Sequence, residues 1–438
     1  MKEKFTIFET FVGAGGSHIG FKEAGFKSVY VNDVNSNCIE TLLYNNPEIK
    51  DSAYIDHKSV LDIDTENLLA NINLKQGELD VMFGGIVCKG FSLAGERSPN
   101  DERNYFYHKQ LELVEITKPK ISIIENVKAF LNGKVLKPDT PKEIKERVDD
   151  IWQKLENFKG QKSDLRKKNK LTKAFEQEGI KLRKEKEKLV KEIKENNYLI
   201  SVVDDIYSLY KGLGYKITHK VLNTAWYGAA TKRERVIIVA VREDANIDFE
   251  FPKPKHHSNE ISTKLDLKYQ NLEFRKPVTL RDVFAKINYN NAKDLDNIPM
   301  NHSKKTVDRF KYIPEGGNIT DVMDMLPQAL KISSFYSRGN TMRLHMDRLA
   351  PTLVPGHSNF PVHPKEHRSI TVREAAVISG FPLDYVFFGN HSKRCEHVGN
   401  AVPPPLAKAI ANQCNELLSS FYNEQLDIRK KELFHQAV

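Results

Sequence analysis

The opening of this chain alternates between extended and helical patterns in an order that few folds accommodate. Phe5 to Phe11 is typical of a buried strand, Gly13 to Gly16 of a tight turn, and Ser17 to Ala24 of a helix start. A second strand pattern follows at Ser28 to Asn32. A strand, a crossing helix and another strand predict a parallel βαβ unit, which requires helices on the faces of the sheet. We therefore expect an α/β fold.

The same alternation continues along the chain. Further strand patterns are separated by helical ones, as in a sheet covered on both faces. The strand patterns lie at Asp80–Phe83, Ile121–Ile124, Lys216–Leu222 and Arg235–Val241, with helical patterns at Tyr107–Ile116 and Val202–Leu213. Together they predict a doubly wound, Rossmann-like sheet.

A stretch rich in Lys, Glu and Leu interrupts this alternation. Residues 131–200 hold 20 Lys and Arg against 13 Asp and Glu, which is 7 of the chain's 9 excess positive charges. This excess fits either a solvated helical face or contact with nucleic acid. We expect a first helix that Gly160 interrupts and a second over about Leu165 to Ile193, forming an inserted helical hairpin. The apolar stripe of the first helix is Ile144, Val148, Ile151, Leu155 and Phe158.

The narrow stripe suggests that the hairpin pairs with itself or with another chain, so self-association is open. A further change of composition follows Phe251, with little long periodicity. We interpret that region as a small separate domain. The expected organisation is a catalytic domain in two parts, 1–130 and 201–251, the hairpin at 131–200, the small domain at 252–347 and a segment, 348–438, that rejoins the sheet.

The overall composition is compatible with a large soluble enzyme. The chain has 438 residues, 40% hydrophobic and 29% charged, and its net charge of +9 suits a polyanionic partner. No apolar run approaches the roughly 20 residues that span a bilayer, and no signal-peptide pattern is present, so we expect a cytoplasmic protein. The four widely spaced cysteines indicate neither a disulfide framework nor a zinc site. We interpret Cys38, Cys395 and Cys414 as buried apolar residues.

One cysteine stands in a different context. Cys88 lies in the run Gly84-Gly85-Ile86-Val87-Cys88-Lys89-Gly90-Phe91-Ser92, directly after a strand pattern, and Glu125 ends another strand pattern 37 residues later. The paired glycines are expected to turn the backbone sharply. A thiol and an acid at neighbouring strand ends form a catalytic arrangement at the edge where open α/β folds bind ligands.

A second group of residues suits a nucleoside cofactor. Gly13, Gly15 and Gly16 stand between a strand and a helix, where backbone can approach a ligand closely. Asp33 ends the next strand and could accept both hydroxyls of a ribose. At Asp62-Ile63, a carboxylate could receive an adenine amino group while the isoleucine packs on the ring.

These motifs together resemble the DNA cytosine-C5 methyltransferase family, in the family's order and over nearly the whole chain. No coincidence of a single motif explains such a series. The matching residues are Phe11–Gly20, Asp33, Asp62, the loop with Cys88, Asp101-Glu102-Arg103, Glu125-Asn126-Val127, Arg233-Glu234-Arg235, Arg373-Glu374-Ala375-Ala376, Gly380-Phe381-Pro382 and Gly399-Asn400-Ala401-Val402-Pro403-Pro404.

The resemblance implies transfer of the methyl group of S-adenosylmethionine to carbon 5 of cytosine in double-stranded DNA. Cys88 would add to carbon 6, and Glu125 would protonate or hydrogen-bond ring nitrogen 3. Arg235 would hold the base carbonyl oxygen, while Arg233 would orient the loop or a phosphate. Since the thiol cannot reach a stacked base, the resemblance also implies a cytosine flipped out of the duplex.

The family pattern extends to binding residues and partners. A prokaryotic restriction-modification role is implied, with a cognate restriction endonuclease as a functional partner. Target recognition would lie within about 252–345. The cofactor-binding candidates are Phe11, Gly13, Gly15, Gly16, Asp33, Val34, Asp62, Ile63, Val87 and Asn400, and the DNA-binding candidates are Lys89, Ser92, Arg97, Arg103, Thr231 and Thr352.

Two positions depart from the family pattern. Val87-Cys88-Lys89 stands where the family has Pro-Cys-Gln, and Ala230-Thr231 where it has Pro-Gln. Losing the proline loosens the backbone before the thiol, and Lys89 adds a charge to the loop. Three interpretations follow: an active methyltransferase, a relative with an altered donor or base, and a catalytically weak DNA-binding relative. We favour the first because the thiol, the acid and both arginines are retained. An RNA methyltransferase of the same fold is a fourth alternative, which RNA binding tested against duplex DNA would separate.

Overall fold

A computed structural model of the protein describes residues 5–86, 98, 100, 106–245, 247–261, 267–332, 341–354 and 360–436. The strands in this part of the chain are β1 (Thr6–Thr10), β2 (Lys27–Asn32), β3 (Tyr54–Asp56), β4 (Val81–Gly84), β5 (Ile121–Val127), β6 (Lys134–Leu136), β7 (Leu199–Ser201), β8 (Tyr215–Asn223) and β9 (Glu234–Arg242). The helices are α1 (Gly16–Glu23), α2 (Ser36–Asn45), α3 (Ile49–Ser52), α4 (Leu68–Asn71), α5 (Phe106–Thr117), α6 (Lys142–Lys167), α7 (Lys173–Glu195), α8 (Val202–Gly212), α9 (Leu280–Phe284), α10 (Lys304–Phe310), α11 (Val372–Ser379), α12 (His391–Asn400) and α13 (Pro404–Gln436).

Seven strands form the central sheet, in the order β3-β2-β1-β4-β5-β9-β8. The first five strands in this order are parallel to one another, while β9 is antiparallel to both β5 and β8. The chain changes direction across the sheet between β1 and β4. In open α/β sheets, a crevice forms at this point, outside the carboxyl ends of the strands.

Alternating side chains of the strands build a core on each face of the sheet. Phe8 and Met82 belong to the cluster on one face, and Ile7 and Val81 to the cluster on the other. Helices α5 and α8 cover the first face, and α1 and α13 cover the second. Both faces are therefore buried, and the prediction of a doubly wound α/β fold is confirmed.

The predicted strands agree with the observed ones to within one residue at each end, except that β5 continues three residues beyond its predicted end. The short strands β3, β6 and β7 were not predicted. The first of the paired glycines at the end of β4 has a packing role that was not predicted. Neither glycine has a positive φ, and the predicted turn towards Cys88 lies outside the described residues. A Cβ atom at Gly84 would lie 2.7 Å from Oε1 of Gln110, so this position requires glycine for packing rather than for a sharp turn.

The insertion folds as an antiparallel hairpin of α6 and α7, with β6 and β7 paired at its base. The prediction that Gly160 interrupts the first helix is wrong. This glycine lies inside α6, which continues to Lys167, because the flanking Lys, Glu, Gln and Leu residues favour a helix more than one glycine disfavours it. The apolar stripe of α6 is buried against α7 of the same chain, and Val148, Trp152 and Ile193 are each at most 4% exposed.

The segment after β9 packs back onto the first βαβ unit. The hydroxyl of Tyr385 donates to the carbonyl of Ala14 at 2.7 Å, and the apolar side chains of α9 and α11 share one cluster with Ala14 and Ile19. A smaller cluster around Phe310, Ile319 and Val322 lies in the region predicted as a small domain. The domain boundaries themselves stay a prediction. No helix among the described residues has the length and apolar character needed to cross a membrane.

Candidate active site

A cavity of about 550 Å³ opens at the point where the sheet changes direction. Ligand sites in proteins commonly have volumes of about 300–1,000 Å³. Residues from both ends of the chain meet here, because the segment after β9 closes over the carboxyl ends of the strands. The predicted site residues that line the cavity are Phe11, Gly13, Asp33, Val34, Glu125, Arg233, Arg235, Thr352 and Asn400.

Asp33 forms one side of the cavity. Its Oδ2 accepts a hydrogen bond from the backbone N–H of Gly13 at 2.9 Å, and its Oδ1 accepts one from Asn35 at 2.8 Å. Burial raises the pKa of this carboxyl, and the two backbone N–H groups oppose that shift. Each carboxylate oxygen keeps a second lone pair, so Asp33 can still accept two hydroxyl groups.

The glycine turn contains two kinds of glycine. Gly13 has a φ of 56° and no atom within 4 Å of an added Cβ, so it leaves space at the cavity wall. Gly15 and Gly16 do not line the cavity. An added Cβ would lie 2.6 Å from the Tyr385 hydroxyl oxygen at Gly15, and 2.2 Å from the Val402 carbonyl oxygen at Gly16. These two glycines therefore make room for the segment of the protein that returns after β9, and their predicted role in cofactor binding stays a prediction.

Asp62 and Ile63 also lie outside the cavity lining. Asp62 is exposed at the end of a short 3-10 helix, and Ile63 packs into the core below the sheet. Ser59 and Val60, just before them, line the cavity instead.

A buried acid and a buried arginine face each other on the opposite side of the cavity. Glu125 at the end of β5 and Arg235 at the start of β9 are 7% and 8% exposed, and Oε1 of the acid lies 2.8 Å from Nε of the arginine. The antiparallel register places them diagonally across the strand pair, on one face. Burial raises the pKa of Glu125, and the charges of Arg235 and Arg233 oppose the shift. The acid therefore retains a proton more readily than an exposed glutamate does.

Arg233 has a different set of partners. Its Nη1 donates to the carbonyl of Gly399 at 2.8 Å, and its Nη2 donates to that of Asn400 at 3.3 Å. Burial and the neighbouring charge of Arg235 lower its pKa to about 9, although Glu125 opposes the shift. Arg233 thus ties the start of β9 to the end of α12 and holds Asn400 at the cavity.

Asn126, next to the buried acid, binds the last described residue before the predicted nucleophile. Its Nδ2 donates to the carbonyl of Ile86 at 3.0 Å. Ile86 is two residues before Cys88, so this bond positions the backbone from which the loop departs. Asn126 was not among the predicted site residues, although a polar residue inside an apolar strand was the available signal. Six predicted residues of this loop lie outside the described residues: Val87, Cys88, Lys89, Ser92, Arg97 and Arg103.

The two threonines predicted to contact DNA differ. Thr352 is exposed at the cavity, and its Oγ1 donates to the carbonyl of Lys232 at 3.3 Å. Thr231 is only 1% exposed, and its hydroxyl donates to the carbonyl of Pro351 at 2.9 Å. In this structure its side chain does not reach the surface, because the returning segment pairs with the backbone at this point. Thr231 joins two segments of the protein.

A buried polar cluster below the glycine turn was not predicted. Glu9 is fully buried in β1, and it accepts a hydrogen bond from the hydroxyl of Ser17 at 2.9 Å and contacts Nδ1 of His18 at 2.9 Å. Ser17 lines the cavity, so this cluster fixes the start of α1 beneath it. A charged residue in the middle of an apolar strand was the signal that could have identified Glu9.

Three cysteines are buried, as interpreted from the sequence, and burial raises the pKa of each thiol: Cys38, Cys395 and Cys414. Raised pKa values make these thiols poor nucleophiles. Among the residues that the structure describes, no three His, Cys, Asp or Glu side chains gather as metal ligands.

Comparison with known proteins identifies the family of this chain. The family model of the C-5 cytosine-specific DNA methylases matches residues 5–158 and 187–416. The chain belongs to this family. The predicted resemblance is therefore confirmed, as is its consequence that the protein is an enzyme of the cytosine-C5 methyltransferase class. S-adenosylmethionine is accordingly the expected methyl donor of this methylase.

Curated relatives and solved structures agree with this assignment. The methylase is 27% identical over 410 residues to the type II methyltransferase M1.HphI of Haemophilus parahaemolyticus, covering 93% of this chain and 85% of that one. It is 26% identical to M.Eco47II of Escherichia coli, covering 94% and 79%. A protein described as a DNA modification methyltransferase encoded within an E. coli prophage shares the fold, with a TM-score of 0.56, 19% identity, and coverage of 95% of this chain and 100% of that one.

The residues of the cavity fit such a donor. Asp33 offers unfilled acceptor positions for a ribose diol, and Gly13 leaves open space beside it. Phe11 and Phe106 form an aromatic wall, with ring centroids 5.6 Å apart. An acceptor pair, an aromatic surface and open space are the features that a nucleoside requires.

Proposed function

We propose that this enzyme methylates carbon 5 of a cytosine in duplex DNA at a specific sequence, through a covalent adduct between the base and Cys88. One observation supports the proposal most directly: the buried pair of Glu125 and Arg235 lies in the same cavity as Asp33, which we propose to bind the ribose of the donor. One cavity can therefore hold a methyl donor and a base side by side. Methyl transfer requires such proximity.

The side chains of the cavity suit the chemistry of cytosine. Carbon 5 is a poor nucleophile until a thiolate adds to carbon 6, which is the role we assign to Cys88. Glu125, with its raised pKa, would donate a proton or a hydrogen bond to ring nitrogen 3 and so stabilise the adduct. Arg235 would hold the carbonyl oxygen of the base. After methylation, loss of the carbon 5 proton and departure of the thiolate would restore the aromatic ring.

S-adenosylmethionine would supply an electrophilic methyl group. Asp33, Phe11 and Gly13 would bind its nucleoside part, and Asn400, held by Arg233, would close the cavity from the other side. These contacts orient the donor, while Glu125 and Arg235 orient the base. Orientation of both reactants in one site is a major contribution to the rate of a transfer between them.

The depth of the pair supports a flipped base. Glu125 and Arg235 are both buried, and a cytosine stacked in a duplex cannot approach groups of that kind. Flipping costs a few kcal/mol, which contacts between the protein and the DNA backbone must offset. The predicted loop residues Lys89, Arg97 and Arg103 are candidates for these contacts, and Thr352 lies at the mouth of the cavity.

The biological setting follows from the relatives. Both relatives described above are named type II methyltransferases. We infer that this methylase protects DNA in a bacterial restriction-modification system and that a restriction endonuclease of the same specificity is its functional partner. Cleavage of unmethylated DNA by a neighbouring gene product, and protection after methylation, would test this setting.

Methyl transfer from labelled S-adenosylmethionine to mixed-sequence duplex DNA tests the proposed reaction. Bisulfite sequencing would locate the product, and Cys88→Ser and Cys414→Ser serve as the test and control variants. We expect 5-methylcytosine at one short motif with the native chain and with Cys414→Ser, but not with Cys88→Ser. Methylation by Cys88→Ser at the native rate would contradict the proposed adduct.

A further inference from the structure

The outer part of the helical hairpin is an addition to the family pattern. The family model matches residues up to 158 and from 187 onward, which leaves residues 159–186 unmatched. These residues hold 11 Lys and Arg against 4 Asp and Glu. Their net charge of +7 is most of the +9 of the whole chain. The positive charge of this enzyme is therefore concentrated in a segment that the family model lacks.

Most of the cations at the end of the hairpin have no acidic partner in the part of the chain that the structure describes. Nearer the base, Arg147 and Glu192 form a two-bonded ion pair at 2.8 and 3.0 Å. Residues 165–175 instead hold five Lys and Arg and no Asp or Glu. Four of the five are exposed and have no acidic partner among the described residues, whereas Lys167 lies 3.7 Å from Asp164. We call the four the tip cations: Arg166, Lys168, Lys170 and Lys173.

The tip is a built structure rather than a loose loop. Asn169 turns the chain with a φ of 51°, and the N–H of Lys170 donates to the carbonyl of Leu165 at 2.9 Å. Thr172 caps α7 by accepting the N–H of Phe175 at 3.2 Å. Each of these bonds restrains the backbone that carries the tip cations. Their positions relative to the hairpin are therefore defined.

An aromatic contact extends the packing towards the tip. The rings of Phe158 and Phe175 stack with centroids 4.4 Å apart. Gly179 permits this, because a Cβ atom there would lie 2.3 Å from Phe158. The outer half of the hairpin is thus a packed arm, in which Gly179 makes room for the ring of Phe158.

The hairpin contacts Asn100, which lies between Cys88 and α5 in the sequence. The side-chain amide of Asn100 donates to Asp149 of α6 at 2.9 Å. From Asp149 to Lys167 is 18 residues, or about 27 Å along a helix. That distance corresponds to about eight base pairs of duplex. A contact between the tip and DNA could therefore fall up to that far along the duplex from a contact near Asn100.

We propose that the tip cations bind phosphates of the DNA that flanks the methylation site. The inference deepens the proposed function, on which it rests for the identity of the substrate. Unpaired lysines and an arginine can bind a phosphate backbone without a complementary surface. An interface with a protein would instead be depleted of lysine and enriched in aromatic residues. Binding of this kind adds affinity without adding sequence specificity.

Binding of the full chain to a 40-base-pair mixed-sequence duplex, measured by fluorescence anisotropy at several KCl concentrations, tests this proposal. The test variant replaces Arg166, Lys168, Lys170 and Lys173 by Gln. The control variant replaces four exposed lysines nearer the base by Gln, and so removes the same net charge: Lys142, Lys154, Lys188 and Lys191. Circular dichroism would establish that all proteins are folded.

We expect the slope of log Kobs against log salt to become shallower by about 0.9 for each lost phosphate contact, hence by about 3 to 4 in the tip variant. Affinity at 150 mM KCl should fall at least tenfold, and the control variant should keep most of the native slope. Equal slopes for the tip variant and the native chain would overturn the proposal. An equal loss in the control variant would do so too, because it would assign the effect to net charge alone.

Labelled methyl transfer on the same duplex separates this inference from the proposed function. Methyl transfer with an unchanged salt slope would overturn the inference and leave the proposed function standing. A shallower slope in the tip variant without methyl transfer by the native chain would support the inference and contradict the proposed function. A larger slope change on a single-stranded RNA pool than on the duplex would overturn DNA as the partner.

Discussion

The cavity and the hairpin tip both depend on cations, but in opposite environments. Arg233 and Arg235 are at most 8% exposed, and each has partners: a glutamate for one and backbone carbonyls for the other. The tip cations are exposed and have no acidic partner among the residues described. A buried charge requires partners, which also position it, whereas an exposed charge can remain unpaired at little cost.

This contrast assigns different physical roles to the two regions. The charges of the cavity are buried and held at fixed positions by their partners, and salt screens buried charges weakly. The charges of the tip act through water, and their effect falls as salt rises. We therefore expect the cavity to determine the rate of the chemical step and the tip to determine affinity for flanking DNA. The following changes test that division.

Glu125→Gln should have the largest effect. The amide cannot transfer a proton to the base, so methyl transfer should fall by about 10²–10⁴-fold. Because the group is buried, the loss should be similar at 50 and 200 mM KCl. Single-turnover rates at saturating DNA measure it, and the tip variant should be near native in that assay. A loss that disappears at low salt would contradict a buried catalytic role.

Arg233→Ala should mainly affect stability. It removes the bonds to the carbonyls of Gly399 and Asn400 and leaves these groups unpaired. We expect the free energy of unfolding to fall by about 2–4 kcal/mol, measured by urea denaturation. The exposed neighbour Glu234 provides a control, since Glu234→Ala should change stability much less. Equal effects of the two changes would show that Arg233 does not tie the segments together.

Two glycines of the hairpin should respond in opposite ways to alanine. Gly179→Ala forces a methyl group against Phe158 and should destabilise the arm by about 1–3 kcal/mol. Gly160→Ala has open space around it and should stabilise α6 by up to about 1 kcal/mol. Thermal unfolding of both variants measures the difference. If both variants were stabilised, or both destabilised, the contact between Gly179 and Phe158 would not hold the arm together, and the position of the tip would not be defined by it.

The pH dependence of stability should show the smallest effect. The folded-state pKa of Glu125 is raised above the ordinary 4.5, so between these values the folded state binds more protons than the unfolded state. Its contribution to stability therefore decreases as pH rises through this window. Glu125→Gln lacks this titrating group. Its free energy of unfolding should therefore rise relative to that of the native chain from about pH 4.5 upward, by at most about 1.4 kcal/mol per pH unit. Urea denaturation at several pH values measures this difference. A native chain that becomes more stable relative to Glu125→Gln as pH rises would contradict the raised pKa.

The sequence was most informative where residues form long buried elements. The apolar runs around Val81, Ile121 and Val236 predicted the sheet correctly, because both faces of each strand are covered. Strand β3 was missed because it has three residues, of which Tyr54 is 40% exposed. The predicted interruption at Gly160 was wrong, because the helix-favouring residues around it outweigh the cost of one glycine in a helix. Local patterns thus failed where a strand was short or where one residue opposed its neighbours.

The site was predicted less completely for a related reason. Asp33, Glu125 and Arg235 end strands, and strand ends converge at one edge of a parallel sheet. The contacts of Gly16 and Thr231 depend instead on the segment that returns after β9. Which residues that segment covers follows from packing over more than a hundred residues of sequence. No local pattern contains this information.

The most direct test of the central claim is covalent trapping of the base by Cys88. The substrate is duplex DNA in which 5-fluorocytosine replaces cytosine. A base can remove the carbon 5 proton of cytosine, but it cannot remove the fluorine. The thiol therefore cannot be eliminated, and the adduct should persist after methylation. We expect intact mass spectrometry to show a stable complex of protein, DNA and methyl group with the native chain and with Cys414→Ser, and none with Cys88→Ser. Methyl transfer to ordinary DNA without any trapped complex, or trapping that does not require Cys88, would contradict the account.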